Sequence, residues 1–497
     1  GMILRAAILP PKKLKRVFMK TSESRSRRVI HNTFLLFGSE KTAQLFSLAA
    51  FIFLQRRWDV ATYGQYALVK NWVAIFSTFS DLGLNALTIR EVARRKSLAG
   101  YYLRNVMGIR SFFSIILVAI LAAVGFLLHY EPLVQIGLVI MGLRIILDCA
   151  AGGYVYLLQA HERMGIHGLI VVIGSLIRLA GIVAVVYLGC GIWGVSSIWV
   201  LASAICLLIL IFIGLSQKWK PDFSQWKWAE MKQVLGQALP LATFWSLQML
   251  YYRVDTVILK SLQGNEAVGL YDAAYTYLNS TLSLSMLFGL SSFPIFSAAQ
   301  DNLKDFGRLT LRAIKLLLFL GIPITVGGYF LATPLIVFFS SAKYISAGPL
   351  FSILSLSVVP FFISNIYIIV LTVKKPKFLN ILYFSLFVLN VGLNFIFIPI
   401  WGSNGAAWAT VLCEAVGLVW GMILIGKYLN QSSKTPMLRP VLASLASAGL
   451  MGVGLYFDPR LYWLVLGPVV YGLGLYFFRA LEPEDWRSLR AVLQPKK

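Results

Sequence analysis

The sequence is poor in charge, and poorer in acid than in base. Asp, Glu, Lys and Arg make up only 13% of it, with 20 acidic residues against 45 basic ones. Soluble domains carry about 25% charged residues, so a string of soluble domains is excluded. There are only four cysteines and four histidines. Cys149, Cys190, Cys206 and Cys413 show no metal or redox spacing, and three of them lie in apolar runs as small packing residues. His31, His129, His161 and His167 fall at helix ends and in loops and suggest no metal cluster. Catalytic motifs are missing as well. Gly38-Ser39-Glu40-Lys41-Thr42 is like the tail of a phosphate loop but lacks the glycine before the lysine. Neither a G-x-S-x-G elbow nor an H-E-x-x-H pair occurs. No enzyme and no cofactor are therefore expected. A membrane-embedded polymerase or acyltransferase is an alternative that would need a catalytic constellation and a large outer loop, which are not found.

What the sequence has in abundance is apolar length. Of its 497 residues 58% are hydrophobic, and mean hydropathy is +0.75. Fourteen runs can each cross about 30 Å of hydrocarbon. They lie near 33–56, 63–86, 110–129, 133–159, 166–188, 191–215, 237–259, 267–294, 313–339, 348–373, 378–400, 405–428, 438–457 and 461–479. The expected fold is all-α and polytopic. Thirty-five of the 45 Lys and Arg fall in the two tails and in alternate loops, while the opposite loops hold only Arg56, Arg57, Lys260, Lys343 and Arg460. By the positive-inside rule both termini are cytoplasmic. The net charge of +25 then reads as topology and contact with anionic membrane lipids, not as nucleic-acid binding.

The chain reads as two similar halves. Tyr63-Gly64-Gln65-Tyr66-Ala67 is answered 205 residues later by Val268-Gly269-Leu270-Tyr271-Asp272, each after a long apolar run. Gly191-Ile192-Trp193-Gly194 and Gly402-Ser403-Asn404-Gly405 open the last helix of each half. The expected division is a basic tail (1–30), an N-terminal lobe of six helices (31–215), a Trp-rich basic linker (216–236), a C-terminal lobe of six helices (237–430), two further helices (431–480) and a tail (481–497). Six helices per lobe put the pseudo-two-fold along the membrane normal, and a transporter with its site between the halves is the natural reading.

Ionisable residues inside membrane helices each need a reason. The first half has Glu40, Lys41, Lys70, Arg144, Asp148 and Arg178; the second has Arg253, Asp255, Asp272 and Glu414. Neither Lys41 nor Lys70 has an obvious partner on its own helix face, since Glu40 is adjacent to Lys41 and points elsewhere. They read either as contacts for an anionic substrate or as cations that snorkel or pair across helices. Arg178, Arg253 and Tyr271 join them as candidate substrate contacts. Arg144 and Asp148, spaced i, i+4, read as a structural ion pair. The first half is net cationic and the second net acidic within its helices. A phosphate-binding lobe with a cation-binding lobe gives that asymmetry, and so does ion pairing between lobes. Trp245, Tyr251, Tyr252, Tyr271 and Tyr275 cluster on helices 7 and 8 as sugar platforms or as packing.

Tyr63-Gly64-Gln65-Tyr66, Asp81-Leu82-Gly83-Leu84 with Arg90, Leu239-Pro240, Asp255, Gly269-Leu270-Tyr271 and Gly405-Ala406-Ala407 carry a resemblance. Over about residues 30–480 the chain resembles the polysaccharide-unit flippases of the multidrug/oligosaccharidyl-lipid/polysaccharide exporter superfamily. The resemblance implies a MATE-like two-lobed bundle working by alternating access in the bacterial inner membrane. It implies an undecaprenyl-pyrophosphate-linked oligosaccharide as substrate, for O-antigen, capsule or exopolysaccharide. A monomer is expected, with a polysaccharide polymerase and chain-length proteins as candidate partners. A cation-coupled multidrug exporter of the same superfamily is the first alternative; helices 13 and 14 argue for the lipid-linked substrate. By resemblance to the lipid II flippases, a sodium site would join helix 7 to helices 11 and 12. Asp255, Asn390, Asn394 and Thr410 are its candidate ligands, and no other metal is expected. Asp255 paired with an arginine, and the asparagines bridging helices, are the bland alternatives.

Overall fold

The computed structural model describes residues 35–221, 227–429 and 437–480. The two basic tails and part of the linker lie outside these residues, as do the side chains of Leu239 and Pro240. Among the described residues the regular elements are all helical, as lipid requires of a chain that cannot leave backbone groups unpaired. In chain order they are α1 (35–57), α2 (Val60–Phe79), α3 (Leu84–Arg94), α4 (Ala99–Leu127), α5 (Pro132–Ala160), α6 (Met164–Tyr187), α7 (Gly191–Ser216) and α8 (Trp228–Ala298). There follow α9 (Leu303–Phe339), α10 (Ala347–Ser355), α11 (Val358–Lys374), α12 (Pro376–Trp401), α13 (Ser403–Leu429), α14 (Leu438–Phe457) and α15 (Trp463–Phe477). Over the described residues each of the fourteen apolar runs lies on one of these helices or on a bent pair of them. The protein is an all-α polytopic membrane protein.

Three boundaries differ from the sequence reading. The second run continues past a 44° bend into α3, because Leu82 and Gly83 sit at φ 49° and 74°. The tenth run is likewise two helices, α10 and α11, bent by 44°. The linker does not end at a loop: α8 begins at Trp228, since Met231, Val234 and Ala238 recur at helical spacing and are buried with Leu84, Leu103, Tyr154 and Trp219. α8 runs for 71 residues and breaks at Gly264, whose φ 84° and ψ −168° are open essentially to glycine alone. The glycines that open the last helix of each half share a conformation, φ 59° at Gly191 and 57° at Gly402.

The chain forms two compact units. One contains residues up to Ala50 and Phe79–Ala242; the other contains Phe51–Thr78 and Thr243 onward. The end of α1 and nearly all of α2 thus pack with the second half of the sequence, although chain order groups them with the first. In the second unit α14 and α15 pack on α9 through Ile322, Leu331, Ala443, Met451, Leu455 and Tyr471.

Candidate functional site

In the second unit the helical period of α2 puts Tyr63, Lys70 and Asn71 on one face, at i, i+7 and i+8. All three converge on Asp272 of α8. Lys70 Nζ lies 2.7 Å from Asp272 Oδ2, to which Tyr63 also donates at 2.9 Å, and Asn71 Nδ2 donates to Oδ1 at 3.1 Å. Arg253 Nη1 donates to Asn71 Oδ1 at 2.7 Å. Lys70 also stands 4.6 Å from the centre of the Phe51 ring. The carboxylate is 3% exposed and Lys70 16% exposed. Lys70 is thus paired with Asp272, and Arg253 reaches the same cluster through Asn71. Burying such charges is tolerable only when they are paired and hydrogen-bonded, as here. Sequence reasoning named Lys70 and Arg253 but missed Tyr63 and Asn71. Their shared helical face with Lys70 was the available signal.

A second cluster surrounds Asp255. Tyr271 donates to its Oδ2 at 2.5 Å and the backbone N–H of Thr256 to its Oδ1 at 2.7 Å. The Tyr271 hydroxyl also lies 3.1 Å from Thr410 Oγ1 on α13. Asp255, Tyr271 and Thr410 are therefore brought together, and Tyr271 is 1% exposed. Asn390 and Asn394 form their own buried pair on α12, with Asn394 Nδ2 donating to the Asn390 backbone carbonyl at 2.8 Å and to Oδ1 at 3.0 Å. No hydrogen bond joins that pair to Asp255 among the described residues. Asn394 Oδ1 is buried without a hydrogen-bond partner. An orphaned amide oxygen, a carboxylate and a hydroxyl make an all-oxygen donor set, which suits a hard cation. Among the described residues no three His, Cys, Asp or Glu side chains form a metal-binding group. One turn beyond Thr410, Glu414 accepts from the Tyr251 hydroxyl at 3.0 Å.

In the first unit Arg144 Nε is 2.9 Å from Asp148, as their i, i+4 spacing allows. The guanidinium groups of Arg144 and Arg178 both lie on Trp199, 4.6 and 5.0 Å from its ring centre. Lys41 Nζ donates to Gln44 Oε1 at 2.7 Å. Asp81, at the bend after α2, accepts from the Tyr156 hydroxyl, which Arg110 contacts in turn.

Residues 29–300, more than half of the chain, match the profile of the family described as polysaccharide biosynthesis protein. The chain belongs to this family. Residues 240–396 also match the profile described as MatE. No curated protein matches the chain. Among solved structures, a lipid II flippase MurJ in an inward closed conformation aligns with a TM-score of 0.74 at 17% identity, over 92% of this chain and 99% of that one. An inward-facing multidrug resistance MATE family transporter of the MOP superfamily aligns at 0.64 and 16% identity, over 79% and 96%. A MATE transporter of Vibrio cholerae aligns at 0.55 and 15% identity, over 83% and 99%. These likenesses are likenesses of fold. Family and fold together make the chain a polysaccharide biosynthesis family member with the fold of lipid II flippase and MATE structures.

Proposed function

We propose that the protein flips an undecaprenyl-pyrophosphate-linked oligosaccharide from the cytoplasmic to the outer leaflet of the bacterial inner membrane. The observation that carries this reading is membership of the polysaccharide biosynthesis family in a chain whose fold follows a lipid II flippase over 92% of its length. Both termini are cytoplasmic in this reading, and the unit works as a monomer supplying a polymerase and chain-length proteins. Lys70 and Arg253 are the cations offered to the pyrophosphate. With Asp272 matched by Lys70, Arg253 adds a positive charge beside the pair through Asn71, which favours a multiply charged anion in a low-dielectric site. Asp255, Thr410, Asn390 and Asn394 are the groups that would hold a coupling sodium ion, and Tyr271 orients Asp255. When bound, that ion supplies charge compensation to a buried carboxylate.

The match of residues 240–396 to the MatE profile favours a second reading, a cation-coupled multidrug exporter. A strain lacking the gene separates the two. Lipid-linked sugar should accumulate on the cytoplasmic leaflet, and Lys70→Ala should fail to clear it at normal protein level. An unchanged lipid-linked pool with raised drug sensitivity would replace the flippase by the exporter. For coupling, export by wild type should depend on sodium or on pH, and Asp255→Asn should lose that dependence. Identical responses of the two proteins to both ions would remove Asp255 from the coupling site.

A further inference from the structure

Asn71 sits between a carboxylate and a guanidinium. Its Nδ2 donates to Asp272 Oδ1 at 3.1 Å, and its Oδ1 accepts from Arg253 Nη1 at 2.7 Å. The side chain is fully buried. The two partners fix which way the amide faces, since only its nitrogen donates and only its oxygen accepts. Asn71 comes from α2, Arg253 from the first arm of α8, and Asp272 from the second arm, beyond the break at Gly264. One neutral amide therefore stands where two opposite charges could meet. Such charges attract strongly in a low-dielectric interior, and a direct pair is the simplest way to bury a guanidinium. Among the described residues Arg253 makes no ion pair.

The carboxylates of these helices are committed to other donors. Asp272 Oδ2 receives Lys70 and Tyr63, and its Oδ1 receives Asn71. Asp255, two positions after Arg253, accepts from Tyr271 and from the Thr256 N–H. Glu414 accepts from Tyr251. Of the donors on Arg253 itself, Nη1 is taken by Asn71, and Nε is buried without a hydrogen-bond partner among the described residues. Nε and Nη2 form the side-on edge of a guanidinium. Its two parallel N–H groups are spaced for two oxygens of one carboxylate or phosphate. We infer that Asn71 is a spacer that holds Arg253 off Asp272, keeping the Nε–Nη2 edge for two oxygens of a phosphate-type anion. The source of that anion, the pyrophosphate of the lipid-linked substrate, rests on the flippase reading above. The carboxylate goes to the lysine, a point charge, and the fork is kept for the ligand whose shape it matches. Without Asn71 the guanidinium closes on Asp272 Oδ1 and the cluster loses its bidentate donor. Asn71 is thus a positioning residue and acts through Arg253.

Binding of inorganic pyrophosphate to the purified full chain in neutral detergent tests the spacer. Asn71→Ala should weaken binding roughly ten-fold or more, the worth of a charge-assisted hydrogen bond. In an Asp272→Asn background the same substitution should leave affinity where that background has it, because no carboxylate remains for Arg253 to close on. Weakening in both backgrounds would mean that Asn71 holds the fold or touches the anion itself, and overturns the spacer. Equal binding by wild type and Asn71→Ala overturns it too. If Asn71→Ala aggregates on size exclusion, Asn71→Ser, too short to bridge both partners, is read in the same two backgrounds. Arg253→Lys keeps the charge without the edge and should weaken binding by a similar factor; wild-type affinity there overturns the bidentate edge. Glycerophosphoglycerol, the head of an anionic phospholipid, should compete poorly with pyrophosphate. Equal competition would make the anion a membrane phospholipid and overturn the assignment to substrate. No binding of pyrophosphate by wild type overturns the edge outright. A deletion strain that accumulates no lipid-linked sugar removes the flippase reading but leaves these affinities standing, so the two failures are told apart.

Discussion

Lys70 shows how a single residue is read differently once its neighbours are known. Its own helix offers it no partner, and its carboxylate comes from 202 positions later. Removing Asp272 alone would leave Lys70 buried and uncompensated, at a cost of about 3–5 kcal/mol. Removing Lys70 alone would do the same to Asp272. We therefore expect Asp272→Ala and Lys70→Ala each to lower the thermal midpoint of the detergent-solubilised protein, and the double variant to lie above the worse single one. Additive losses would show that the two charges are not coupled. The ladder of hydrogen bonds from Tyr63 and Asn71 belongs to the same accounting, since each satisfies an oxygen of a buried carboxylate. Arg144 and Asp148 are the opposite case. Their pairing is local, so spacing alone brings them within reach.

Among the elements, α2 depends on how it starts. Asp59 caps it, accepting from the backbone N–H of Thr62 at 2.9 Å and from the Thr62 hydroxyl at 2.7 Å. The Thr62 N–H holds the Asp59 carboxyl below its ordinary value of 3.8. A carboxyl depressed in the folded state contributes stability above its unfolded value, and that contribution is lost as pH falls through the lower, folded one. Asp59→Ala should therefore lower stability by about 1 kcal/mol at neutral pH, the usual effect of losing such a cap. The difference from wild type should shrink as pH is lowered past the ordinary carboxylate range. Asp59→Asn, which keeps an acceptor oxygen but not the charge, should lose only part of that stability at neutral pH and all of the pH dependence. A pH-independent deficit in Asp59→Ala would mean the charge is not what stabilises the start of the helix. Because α2 carries Tyr63, Gly64, Lys70 and Asn71, its entry geometry sets the register of the whole cluster.

At the scale of the molecule, the alternation of basic loops makes a claim about sidedness. Reporter fusions should place the 216–236 segment in the cytoplasm and an insertion at Gly264 outside. An outside signal at both positions would break the fourteen-span arrangement. The second unit's composition bears on mechanism as well. Phe51–Thr78 packs with residues 243 onward, so Lys70 meets its carboxylate inside one compact unit.

The sequence by itself determined the class, the helices and the family resemblance. Lipid leaves a chain with so many apolar runs no other way to satisfy its backbone, and a period of 3.6 residues needs no tertiary information. It also determined the 205-residue echo of Tyr63–Ala67 in Val268–Asp272, which is visible as a repeat without any tertiary information. Only the tertiary structure decided which carboxylate Lys70 meets, that Tyr271 serves Asp255 and Thr410, that the bend after α2 falls at Leu82 and Gly83, and that α8 starts at Trp228. Each of these depends on a partner distant in sequence or on a backbone conformation set by packing. The asymmetry of charge between the halves was legible, but its resolution was not. Composition counts four cations and two acids in the helices of the first half, and cannot say that one of those cations lies against an acid of the second.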